Sequence, residues 1–261
     1  MKFGKIITFA SVCLVLNLIL RSFQLRYTIE ITTGFFRHSL ADYGAIMLGV
    51  IFFAALCSAA FAFLCCNSPE NPPRPNLPLG ISGILLGMAI LAQVFLEVFS
   101  NVVPVWQVIL IKLFGFASAA FLVVFGLLKF VKIKFPRILY IIPTVYFIFR
   151  LIGVFVNISS LALISDNLLL MAFYCSALWF WLQFAKLYNF NYDEKAFRSL
   201  LASGILTVHF AFTQSLPHII VNIVTGSSYL HTSVVENLTV LLTGVFVAIF
   251  TLCHFMSNKN A

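Results

Sequence analysis

VWQVILIKLFGFASAAFLVVFGLL, residues 105–128, decides the fold. It contains a single charge, Lys112, and no proline. A helix rises about 1.5 Å per residue, so this run exceeds the roughly 30 Å of a bilayer's hydrocarbon core. Nothing in it alternates with a period of two, as a half-buried strand would. It is a membrane-spanning helix, and the rest of the chain repeats its character. Similar apolar runs lie near 5–25, 43–66, 79–99, 138–157, 167–187, 198–216 and 236–255. An all-α, polytopic membrane protein of eight transmembrane helices follows.

Composition agrees. Of the 261 residues, 62% are hydrophobic, only 9% are charged and 30 are Phe, and the mean hydropathy is +1.06. Soluble domains are about 25% charged. These values exclude a cytosolic enzyme, a nucleic-acid binder and a disordered chain; the expected environment is a lipid bilayer. Lys2 and Lys5 precede an apolar stretch, as in a signal peptide, but Leu20 is followed by Arg21-Ser22-Phe23-Gln24 without a small-residue cleavage pattern. A retained first helix is expected.

The net charge of +8 sorts by loop. With the N-terminus inside, the inner segments carry Lys2, Lys5, Arg74, Lys129, Lys132, Lys134, Arg137, Lys186, Lys195, Arg198 and Lys259, whereas the outer ones carry only Arg26 and Arg37. Basic residues favour the cytoplasmic side. The expectation is a cell-membrane protein with both termini cytoplasmic. Asn71–Pro78 reads as a stiff inner loop, because its prolines lack backbone donors. The apolar stretch 217–234 reads as an interfacial or re-entrant outer segment. Adjacent Cys65 and Cys66 suit packing or acylation, with packing favoured.

Matched residues suggest an internal duplication. Ser82-Gly83-Ile84-Leu85 reappears as Ser203-Gly204-Ile205-Leu206, and the same register sets Gln93 on Gln214. Asp42 aligns with Asp166, Asn67 with Asn191, Glu70 with Glu194, Arg21 with Arg150 and Gly115 with Gly244. Two parallel four-helix halves, 1–134 and 135–261, are the implied organisation.

Polar residues within spans are costly and need partners or water. Gln93 and Glu97 sit one turn apart near the outer end of their helix, with Gln107, Lys112, Arg150, His209 and Gln214 at similar depth. Asp166 and Glu236 begin helices that descend from that side. Two explanations compete. Lys112 and Arg150 snorkel to headgroups while Asp166 and Glu236 cap helix starts; or the groups converge on a hydrated vestibule, with Glu97 paired to Lys112, Asp166 paired to Arg150, and Tyr146, Arg150 and Asn157 on one helical face. Pro143 and Pro217 interrupt backbone bonding near this zone.

No metal-ligand spacing, phosphate loop or nucleophile elbow occurs, and no cofactor is expected. An acid–base pair of His209 with Glu97 or Asp166 keeps a membrane enzyme as a third reading. The leading one is a small permease or solute-binding membrane module whose ligand-binding residues are Arg150, Asp166, Glu97, Lys112, Gln93, Gln214, His209 and Arg21, for a small anionic or zwitterionic solute. The alternative is a non-catalytic partner or sensor of other membrane proteins, its buried polar groups serving helix assembly.

Overall fold

The computed structural model describes residues 2–30, 35–65, 77–96, 104–128, 136–160, 165–189, 194–225 and 233–256. The protein is an all-α polytopic membrane protein, and the described residues include eight helices long and apolar enough to cross a bilayer. They are α1 (Lys2–Phe23), α2 (Ala41–Cys65), α3 (Leu77–Leu96), α4 (Val105–Leu127), α5 (Ile142–Ser160), α6 (Ser165–Asn189), α7 (Glu194–Thr225) and α8 (Val234–Met256). From α3 to α8 each helix packs on the next, and α8 returns to α3, closing a ring of six. The α1–α2 pair docks on α7, which thereby touches four helices.

Small residues set the closest approaches. A Cβ added to Gly80 would lie 2.8 Å from the Gly126 carbonyl oxygen, and one on Gly87 would lie 2.9 Å from that of Ala119. Only hydrogen fits between α3 and α4 there, which is the means by which membrane helices gain dispersion contact. The two Ser-Gly steps play similar parts. Ser82 and Ser203 each return their hydroxyl to a carbonyl in the preceding turn, while Gly83 faces the α4 backbone and Phe246 of α8, and Gly204 faces Thr251 and Val247 of α8.

The bundle has two unlike ends. At the end holding the start of α1, aromatic rings from α4, α6 and α8 and from the 3-10 turn before α5 fill the ring. Trp181 stacks on Phe246 with centroids 5.4 Å apart, and Tyr140 on Tyr188 at 4.6 Å. Lipid is as apolar as phenylalanine, so water exclusion does not drive this packing. Ring geometry contributes about 0.5–1.5 kcal/mol per pair. The opposite end gathers the polar side chains.

Three sequence expectations are corrected. The seventh helix does not stop at Pro217: α7 runs eight residues further, to Thr225. The proline forfeits one hydrogen bond to the Thr213 carbonyl, a loss membrane helices tolerate when neighbours pack around the kink. Pro78 lies in the first turn of α3 and so is not loop, and Pro143 lies in the first turn of α5, preceded by a 3-10 turn over Arg137–Ile141, so neither breaks a helix. First-turn donors have no intrahelical acceptor to lose. Glu97, Cys66, Asn67, Glu70, residues 71–76 with Arg74, Asn191, residues 226–232, Lys259 and the run through Lys129, Lys132 and Lys134 lie outside the described residues, as do the side chains of Lys2, Asn157 and Glu194.

Candidate functional site

Helix direction explains why the polar residues meet. Arg21 is in the last turn of α1, where the helix dipole favours a cation. Asp166 is in the first turn of α6, where it favours an anion. These two ends lie at the same level, and Arg21 forms an ion pair with Asp166, the side chains 0% and 2% exposed. A five-residue π-helical turn, Gln24–Thr28, follows α1. It brings the Gln24 side chain back so that its oxygen accepts from Arg21 and its amide donates to the Gly44 carbonyl at 2.8 Å. The Ser165 hydroxyl accepts from Arg21 at 3.3 Å, and His218 Nε2 lies 3.3 Å from Asp166 Oδ1. Elements from both ends of the sequence are thus closed into one network.

The second cluster lies inside the six-helix ring. Arg150 donates to Glu236 Oε1 at 2.5 Å and, through Nε and Nη2, to the Tyr174 hydroxyl at 3.2 and 3.0 Å. Tyr174 in turn donates to Glu236 Oε1 at 3.0 Å. The expected Asp166–Arg150 pair is therefore replaced by two separate pairs, Arg21–Asp166 and Arg150–Glu236. The cause is topological: α6 presents Asp166 toward α1 and α7, and Tyr174, two turns further, toward α5 and α8.

The face of α5 that carries Arg150 extends in both directions. One turn away, the Tyr146 hydroxyl donates to Gln93 Oε1 on α3 at 3.3 Å. Three residues beyond Arg150, Gly153 leaves room for Gln107 of α4: a Cβ there would sit 3.5 Å from Gln107 Nε2. Gln93 and Gln107 are each 1% exposed, and neither Nε2 has a hydrogen-bond partner. An unmatched buried amide costs about 1–3 kcal/mol. Two such donors flank an arginine–glutamate pair, and Glu236 is 14% exposed, so the cluster is not sealed.

The other candidates disperse. Lys112 is half-buried and, among the described residues, has no ion-pair partner; Glu97, its expected partner, is outside them. Gln214 is fully buried with neither amide atom bonded. His209 is not near the polar end, because the longer α7 places it mid-helix, where its Nδ1 lies 3.2 Å from Asn17 Nδ2. The sequence reading left Gln24, Tyr174 and His218 out of the site. Gln24, three residues after Arg21, and His218, four after Gln214, sit at helical-face spacing; Tyr174 carried no such signal. Among the described residues no group of three His, Cys, Asp or Glu side chains is arranged to hold a metal ion. No family model, curated protein or solved structure matches the chain.

Proposed function

We propose that this protein is a solute-binding membrane module, a small permease in its simplest form, whose site is the Arg150–Tyr174–Glu236 cluster with Gln93 and Gln107. One observation carries the reading: a buried ion pair with partial exposure is bordered by two amide donors that have no partner. A zwitterionic solute answers both features. Its carboxylate takes Arg150 and the glutamine amides, its ammonium takes Glu236, and the internal ion pair is exchanged for two external ones. The aromatic floor beneath would then act as the barrier that alternating access must open. We place the termini on the cytoplasmic side of a cell membrane, on the basic-residue bias, and read the halves 1–134 and 135–261 as duplicated, which the matching Ser-Gly steps support.

The Arg21–Asp166 network favours the second reading, a partner protein in which buried charge serves assembly, because its two charges are buried almost completely between α1, α6 and α7. The two readings divide between the clusters. The deciding experiment screens amino acids and small monocarboxylates for thermal stabilisation of the purified protein, then repeats it with Arg150→Leu. The expected result is a subset of zwitterions that raises Tm, with the shift lost in Arg150→Leu. Cysteines introduced singly at 93, 107 and 150 should react with water-soluble reagent. Protection of all three, together with no stabilising solute, rejects the binding role.

A further inference from the structure

With the Arg150–Tyr174–Glu236 cluster taken as the solute site proposed above, its charge balance limits what it accepts. Arg150 and Glu236 are 4% and 14% exposed, and as a pair they are neutral. A zwitterion adds no net charge to them. A monocarboxylate adds one negative charge, at a depth where an uncompensated charge is costly. One proton entering with the monocarboxylate restores the balance.

Glu236 is placed to take that proton. It stands in the first turn of α8 and is the more exposed member of the pair. Its Oε1 accepts from both Arg150 Nη2, at 2.5 Å, and the Tyr174 hydroxyl, at 3.0 Å. The same hydroxyl accepts from Arg150 Nε and Nη2, at 3.2 and 3.0 Å. A phenol both donates and accepts. Once Arg150 turns to a solute carboxylate, the Tyr174 oxygen is available to a protonated Glu236, and its O–H still suits an ionised one. Tyr174 thereby supports Glu236 in either protonation state.

The other titratable groups near this end are engaged elsewhere. Among the described residues α3, which packs on α8, carries no titratable side chain. On α7, His218 lies 3.3 Å from Asp166 Oδ1, and Lys195, Arg198 and His209 lie further down the helix. On α6, Asp166 is paired with Arg21. Tyr146, one turn from Arg150 on α5, donates to Gln93 Oε1 at 3.3 Å.

We infer that Glu236 is a proton site coupled to the solute: a small monocarboxylate binds Arg150 together with one proton on Glu236, whereas a zwitterion binds without one. In both cases the solute carboxylate replaces Glu236 beside Arg150, and either the proton or the solute's ammonium neutralises Glu236. The test is titration calorimetry on the full chain in detergent between about pH 6 and 7.5, where the carboxylates of all probes stay ionised. Glycine, alanine and leucine are compared with acetate, propionate and 4-methylpentanoate, the same skeletons without the ammonium. The Kd of a bound monocarboxylate should rise about tenfold per pH unit, with about one proton taken up, while that of its amino acid stays flat. Glu236→Gln, whose amide stands for the protonated acid, should bind the monocarboxylate with neither pH dependence nor proton uptake. In the natural chain a protonated-carboxyl infrared band should appear on binding, unmoved by isotopic labelling of the solute carboxyl; this measurement decides if the variant does not fold. Flat affinity of a bound monocarboxylate, or a pH dependence that survives Glu236→Gln because the solute enters as the neutral acid, overturns the proton site. So do amino acids that bind at every pH while their deaminated counterparts never do. Those results leave the solute site standing; binding of no probe at any pH overturns both.

Discussion

The two buried arginines differ in how completely they are enclosed. Arg21 is 0% exposed and meets Asp166, Gln24 and Ser165, with His218 beside the same carboxylate oxygen, Oδ1. Arg150 is 4% exposed, but its carboxylate is 14% exposed, and unbonded glutamine amides lie on either side. The first arrangement joins α1, whose span is only 22% buried, to α6 and α7. The second lies within a ring that already holds together by glycine-mediated and aromatic contacts. Buried ion pairs rarely stabilise relative to apolar replacements, although breaking one is expensive. A pair is therefore best understood by what its removal does: one should loosen a helix, the other should empty a site.

Substitutions across the bundle sharpen that contrast. Asp166→Ala leaves Arg21 charged in a dry environment and should cost about 3–5 kcal/mol, read as a fall in unfolding midpoint in detergent. Replacing both partners, Arg21→Met with Asp166→Leu, should recover most of the loss; a double variant as unstable as the single would mean that the pair does more than compensate its own charge. Gly87→Leu drives a side chain into the Ala119 carbonyl and should cost about 1–3 kcal/mol without altering solute binding. Glu236→Gln should destabilise less than Asp166→Asn under the same assay, since the partly exposed Glu236 site admits water; equal losses would erase the distinction between the clusters. Smallest of all, Trp181→Phe keeps a ring in the aromatic floor and removes an indole N–H that has no acceptor. Its effect should stay within about 1 kcal/mol in either direction, by thermal denaturation.

Much of the fold was legible because hydrocarbon imposes a length and a composition on anything that crosses it. Eight apolar runs became eight helices, and the errors fell at prolines. Pro78, Pro143 and Pro217 each looked like a break, yet two stand in first turns and the third is absorbed by packing. The site was only half legible. Arg150, Gln93 and Gln107 share one depth in the sequence and one cluster in the structure. Lys112, of similar depth and cost, points elsewhere, since depth does not tell which way a helix is turned. Tyr174 and His218 were inconspicuous as letters and became visible only as partners of charges.

By itself, the sequence determined that the chain crosses a bilayer, how many times, and that its polar groups crowd toward one end, because hydration and helix rise act on each segment alone. Which carboxylate meets which arginine, and which amides are left without partners, was decided by the rotation of each helix about its axis and by the six-helix ring. Those depend on side-chain packing between segments far apart in the chain, and no single segment encodes them.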